Sequence, residues 1–258
     1  MEPGRFITLE GGEGGGKSTQ ARRLADGLAA LGLPVLLTRE PGGAPGAEIL
    51  RNLLLGGSVS WSAEAETLLH FAARTEHADK TIRPALAAGV WVVCDRFYDS
   101  TMVYQGWGLG SDRTAIGTLI GLLGLVPDLT LVLDVTVETT MARLASRGAA
   151  ADRYERLGAP FFARIREGFQ TVARGDPGRC AMLDGTPDEA SVAAAVMAAV
   201  LAGQQVENHA GFAVAAHTDD DAFVAPFHAT ALNLWGIRGP FPDSGPDQWP
   251  NLRALSQT

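Results

Sequence analysis

Lysine is almost missing from this chain. Lys17 and Lys80 are the only two among 21 Lys and Arg residues, so arginine supplies nearly all positive charge. Two cysteines, Cys94 and Cys180, are too few for a disulfide framework, and each lies in an apolar run, which makes both expected core thiols. No apolar stretch reaches the ~18 residues that a membrane-crossing helix needs. The N-terminus lacks the charged-then-apolar order of a signal peptide, so a reducing cytoplasm is the expected compartment. Lys/Arg clusters are absent and the net charge is −8, which argues against a nucleic-acid polymer as partner. An acidic protein still binds nucleotides where a nest of N–H groups and a few arginines meet the phosphates.

Against that background Lys17 stands out. It closes the run Gly11-Gly12-Glu13-Gly14-Gly15-Gly16-Lys17-Ser18, a match to G-x-x-x-x-G-K-[ST] followed by Thr19. The run follows a strand-like segment ending at Leu9 and precedes a helical pattern from Gln20 to Leu31, the setting in which this motif has meaning. Backbone N–H groups of such a loop surround phosphate oxygens; the lysine reaches the β- and γ-phosphates and the serine hydroxyl binds Mg²⁺. A triphosphate-bearing ligand with Mg²⁺ is what these residues predict.

Strand-like runs at Arg5–Leu9, Pro34–Thr38, Val90–Cys94, Leu129–Asp134 and Cys180–Leu183 alternate with helical patterns near 17–31, 46–55, 62–88, 112–124, 137–147, 159–174 and 187–202. This alternation predicts an α/β fold: five parallel strands with helices on both faces. Ligands of such sheets bind beyond the carboxyl ends of the strands. There the sequence places Gly11–Ser18, Arg39–Gly43 and Asp95–Ser100. The pattern fades after Ala202. Residues 203–258 hold three of the five histidines, five of the 14 prolines and the run Asp219-Asp220-Asp221. They are expected to form an irregular acidic extension to a domain spanning 1–202, either a docking segment, a regulatory flap or the product of an altered reading frame. The acidic run near His217 is expected to be solvated rather than a metal site.

Asp95 at a strand tip suits a carboxylate that holds a metal water or orients an attacking oxygen, and Arg96 suits a phosphate clamp. Arg39 and Glu40 lead a Pro-Gly-Gly turn and are expected to enter the cleft. Phe71 and Arg74, three apart in a helical pattern, share a face. A phenyl ring there can stack on a pyrimidine, and a guanidinium can donate to the O4 of thymine or uracil but not to the amino group of cytosine. A core phenylalanine beside an exposed arginine is the alternative. Arg143, Arg147 and Arg153 flank a small-residue stretch suited to a mobile lid over the transferring phosphoryl group, with a solvated arginine face as the alternative, strongest at Arg143.

Taken together, these segments resemble bacterial thymidylate kinases. The resemblance is carried by Phe6–Gly11 running into the phosphate loop, Thr38-Arg39-Glu40-Pro41-Gly42-Gly43, Leu69–Arg74, Asp95-Arg96-Phe97-Tyr98-Asp99-Ser100, Tyr104-Gln105-Gly106, and Arg147-Gly148 with Asp152-Arg153, over about residues 4–202. It implies a P-loop kinase fold, transfer of the ATP γ-phosphoryl group to dTMP, and a homodimer. It further implies that Lys17 and Ser18 hold ATP and Mg²⁺, and that Asp95 organises metal waters and acceptor. Arg96 would bind the dTMP phosphate, with Arg39 and Glu40 shaping that side. Phe71 would stack on thymine, Arg74 would read O4, Ser100 and Gln105 would contact the base, and Tyr104 would crowd the ribose 2′ position. The loop carries Glu13 rather than a basic residue, an arrangement in which the lid supplies arginine, here Arg147 and Arg153. Ala44 departs from the usual threonine, and the lid lacks an acidic residue often found after Glu155. A P-loop kinase of another small phosphate acceptor, and a catalytically silent nucleotide-binding scaffold, are the competing expectations.

Overall fold

The computed structural model describes residues 4–56, 59–146 and 154–209. Five parallel strands, β1 (Phe6–Glu10), β2 (Val35–Arg39), β3 (Trp91–Asp95), β4 (Leu129–Asp134) and β5 (Cys180–Asp184), form one sheet in the order β2-β3-β1-β4-β5. β1 lies at the centre and every one of its residues is buried. The edge strands β2 and β5 are only partly covered. The helices are α1 (Lys17–Ala30), α2 (Pro45–Leu55), α3 (Ala63–His77), α4 (Arg83–Ala87), α5 (Tyr98–Thr101), α6 (Arg113–Leu123), α7 (Val137–Ser146), α8 (Gly158–Gly175) and α9 (Glu189–His209).

Side chains alternate across the strands with period two. Ile7 and Leu9 of β1 face a core shared with Leu24 and Leu28 of α1 and Val192, Val196 and Val200 of α9. Phe6 faces the other way, into a core with Val92, Cys94, Phe71, Phe97 and Ile116. Beyond β4, Val132 packs with Phe161, Ile165 and Phe169 of α8. Cys94 and Cys180 are free and buried, as expected.

Three departures from the sequence pattern matter. The predicted helix 62–88 contains a π-helical turn at Ala78–Ile82 between α3 and α4. The segment 98–108, unassigned from sequence, is helical: α5 runs into a π-helical stretch at Met102–Gly108. Its glycines and hydroxyl residues obscure the apolar period, yet its wall is buried against α8 and α6. Helix α9 carries on past Ala202 to His209. The expected extension from residue 210 onward lies outside the described residues.

Register sets the site. Asp95 pairs with Leu9 on one side and with Arg39 on the other. The loops leaving β1, β2 and β3 therefore emerge at one edge of the sheet, side by side.

Candidate active site

At that edge lies a cleft of about 630 Å³, within the range of small-molecule sites. One wall of it is the loop between β1 and α1. Gly11 has φ 132, and a Cβ there would stand 2.4 Å from the Leu133 carbonyl oxygen, so only glycine permits this approach. Gly16 caps α1 in the left-handed conformation (φ 84) with no side-chain cap and no acidic residue in the first turn. The first N–H groups of α1 are thereby left to an external anion. Lys17 Nζ donates to the Gly12 carbonyl at 2.7 Å, folding its charge over the loop. Burial, then the nearby Arg96, lowers the Lys17 pKa to about 8. Gly14, Gly16, Lys17, Ser18 and Thr19 line the cleft; Gly11, Gly12 and Gly15 shape the loop behind it. Arg143 of α7 also lines it, donating to the carbonyls of Gly14 (3.0 Å) and Gly185 (3.0 Å).

Ser18 Oγ donates to Asp95 Oδ2, joining the loop to the tip of β3. Asp95 Oδ1 is buried without a hydrogen-bond partner. A hydroxyl and a carboxylate with an unused oxygen, at the rim of a phosphate cradle, fit a hard cation such as Mg²⁺.

Another wall of the cleft is built on Arg96, which sits at φ 70. Its guanidinium donates to Glu13 (2.6 Å), Ser100 Oγ (3.1 Å) and Tyr104 Oη (3.3 Å) and stacks on the Tyr104 ring. The Glu13 side chain, assigned from sequence to the nucleotide loop, thus turns towards Arg96 and Tyr104. Glu10, which sequence reasoning overlooked, lies beneath. It is completely buried; Oε1 accepts from the backbone N–H of Phe97 (2.7 Å) and Ser100 (3.2 Å), and Oε2 from Ser100 Oγ (2.6 Å). Burial and Asp99 raise its pKa to about 7 against the pull of Ser100, Arg96 and Phe97.

Arg39 lines the cleft, half-exposed and held by both oxygens of Glu48 (3.0 and 3.1 Å). Glu48 also accepts from Gly43 N, and that bond, ahead of Arg39, lowers its pKa. Arg51, not expected from sequence, lines the cleft and donates to Pro41 O at 2.5 Å. Glu40 lines the wall too, but its carboxylate is turned into the protein, bonded to Arg74 Nε (2.7 Å) and His77 Nδ1 (3.0 Å). Arg74 donates further to Phe97 O and Thr101 Oγ1, each at 3.1 Å, and its buried Nη1 has no partner.

Phe71 is a correction. Its ring lies in the core with Phe6, Val92 and Phe97, not on the cleft, and Arg74 stacks against it at 4.9 Å. The residues that α3 presents to the cleft are His70 and Arg74. They are four apart, closer to one helical turn than the three-residue step from Phe71, and the extra rotation sends Phe71 to the sheet. Ser100, Tyr104 and Gln105 all line the cleft as expected, and Tyr154 joins them. Arg147 and Arg153 lie outside the described residues.

The sequence profile of the thymidylate kinase family matches residues 9–196. The thymidylate kinase of Gluconobacter oxydans is 50% identical over 201 residues, 76% of this chain and 94% of that protein. That of Dinoroseobacter shibae is 50% identical over 199 residues, 76% of this chain and 96% of its own length. Among solved structures, thymidylate kinase from Ehrlichia chaffeensis superposes with TM-score 0.63 at 35% identity, covering 77% of this chain and 99% of that one.

Proposed function

This chain belongs to the thymidylate kinase family and phosphorylates dTMP to dTDP, and we propose that it does so by in-line transfer from ATP-Mg²⁺ held on the loop Gly11–Thr19. The observation that carries the site assignment is one cleft lined both by an uncapped, lysine-bearing phosphate loop and by an arginine, Arg74, with a buried unused donor. A loose phosphoryl transition state asks the protein for position and positive charge, not for a covalent intermediate.

Lys17 and the first N–H groups of α1 bind the donor phosphates. Ser18 and Asp95 are the residues that would hold Mg²⁺, which would supply charge neutralisation to the phosphates. Arg96 binds the dTMP phosphate, kept in place by Glu13 and Tyr104, with Arg39 and Arg51 completing that wall. An oxygen of this phosphate attacks the γ-phosphorus as the bond to ADP breaks. Arg74 donates Nη1 to thymine O4, His70 takes the place beside the ring that Phe71 does not occupy, and Gln105 and Ser100 meet the base edge. Arg143 steadies the donor loop. Arg147 and Arg153 keep the role implied by the resemblance, charge for the transferring group.

The family kinase domain is read as residues 1–202 and the remainder as an extension. A homodimer is supported by apolar side chains exposed on the neighbouring helices α2, α3 and α6, among them Ile49, Leu53, Leu68 and Leu122. No helix among the described residues is long and apolar enough to cross a membrane, in keeping with a cytoplasmic enzyme. A coupled assay with ATP and dTMP, dUMP, dCMP, AMP or shikimate tests the acceptor. Preferred turnover of any acceptor but dTMP, or ATP binding without product, would overturn the reading.

A further inference from the structure

Gln105 meets the cleft through an amide whose two ends are chemically opposite, and only one end is committed. Its Nε2 donates to Glu66 Oε1 at 2.9 Å and to Tyr154 Oη at 3.0 Å. Tyr154 Oη in turn donates to the same Glu66 oxygen at 2.6 Å. Glu66 is fully buried on α3 and does not line the cleft, whereas Gln105 and Tyr154 do. Glu66 therefore stands behind Gln105. A carboxylate oxygen accepts and does not donate, so the amide N–H groups must turn to it. Turning the amide over would set two acceptor oxygens about 2.9 Å apart in a buried place. The carbonyl end is left for the cleft.

We propose that Glu66 is a specificity-positioning residue: through Nε2 it orients Gln105 so that the carbonyl presents an acceptor to the substrate base. Beside it Arg74 presents a donor. Donor and acceptor side by side complement the O4 and N3–H of thymine; a cytosine-type edge offers an amino group and a bare N3, the reverse order. Glu66 thus acts on base choice without touching the base. The inference rests on the reading of this cleft as the dTMP site.

The test compares kcat/KM for dTMP and for 5-methyl-dCMP, which match in shape and differ at the 4-substituent and the N3 proton. The chains are wild type, Glu66→Gln, Tyr154→Phe and Gln105→Leu, and the KM for ATP is followed throughout. A glutamine at 66 offers either an N–H or a C=O to Gln105, so the amide can turn. The ratio of the two kcat/KM values should fall about tenfold in Glu66→Gln and about threefold in Tyr154→Phe, mainly through the KM of the monophosphates. Arg74 is common to all four chains and cancels in the comparison. A role confined to stability would lower both substrates alike and leave the ratio in place. A folded Glu66→Gln enzyme with the wild-type ratio overturns the proposal; if that variant does not fold, an unchanged ratio in Tyr154→Phe does so. Should Gln105→Leu lower the ratio while neither of the other two variants does, the dTMP site stands and the Glu66 role falls. Should Gln105→Leu leave it unchanged, the base-edge reading itself falls and takes the proposal with it.

Discussion

Arg74 and Glu40 form an ion pair with Nε and Oε2 2.7 Å apart and both side chains only 2% exposed. Such a pair is costly to break from one side, because the surviving charge stays buried. Glu40 spends its second oxygen on His77, whose Nε2 meets Thr38 Oγ1 at 2.8 Å. The guanidinium is thus fixed from behind with Nη1 left over. Arg74→Ala is expected to raise the KM for dTMP about tenfold or more, with a much smaller effect on ATP, and to lower the melting temperature. Equal losses for both substrates would remove its base-reading role.

Lys17→Ala should leave the fold intact, since the hydrogen bond that Lys17 makes among the described residues is to the Gly12 carbonyl of its own loop. Turnover should drop on the order of 100- to 1000-fold, the scale for losing one transition-state charge partner. The check is kcat beside a thermal melt. A variant with near-normal turnover would strip the loop of its assigned role.

Asp95→Asn keeps shape but weakens the oxygen set at the tip of β3. The Mg²⁺ concentration for half-maximal activity should rise about five- to thirty-fold, roughly 1 to 2 kcal/mol of lost binding. A magnesium titration at saturating ATP and dTMP measures it. An unchanged midpoint would place the ion elsewhere.

Glu10 predicts a pH dependence of stability. Burial holds its folded pKa near 7 against an ordinary 4.5. Between those values the folded chain keeps a proton that the unfolded chain has lost. Its contribution to stability is therefore greatest below about pH 4.5, falls as pH rises to about 7, and is flat beyond. The span is about 3 kcal/mol at most. The urea midpoint of wild type should fall relative to that of Glu10→Gln as pH rises through this window, because the glutamine does not titrate. Parallel curves would refute the assignment.

A chain ending after His209 should retain dTMP kinase activity. The family match ends at residue 196, and the relatives are covered almost to their full lengths by about three quarters of this chain. Among the described side chains of α9, Val200 is the last that packs into the core. Comparing kcat/KM of the two chains tests this, and a tenfold loss would make the extension part of the enzyme.

Much of this was legible in one dimension. The strands were expected within a residue or so at either end, because a doubly covered parallel sheet demands short, nearly continuous apolar runs. The phosphate loop was legible because its chemistry is backbone chemistry: consecutive glycines and an adjacent lysine form the site together. The wall built on Arg74 and Arg96 was only partly so. Arg74, Arg96, Ser100, Tyr104 and Gln105 all reach the cleft as expected. Glu10, Arg51, His70 and Glu66 carry no local signature. Glu10 meets Ser100 across 90 residues and Glu66 meets Gln105 across 39. Helical periodicity alone allowed either Phe71 or His70 to face the cleft, since both lie within one turn of Arg74.

By itself the amino-acid sequence determined the order of the strands along the chain, the anion-binding loop and the family, because each is written in contiguous residues whose backbone geometry and apolar period act locally. Only the tertiary structure decided which ring of α3 borders the cleft, which way the amide of Gln105 turns, and that a buried carboxylate supports the turn after β3. Those outcomes are set by packing and by hydrogen-bond polarity between segments far apart in the chain, and no local pattern encodes them.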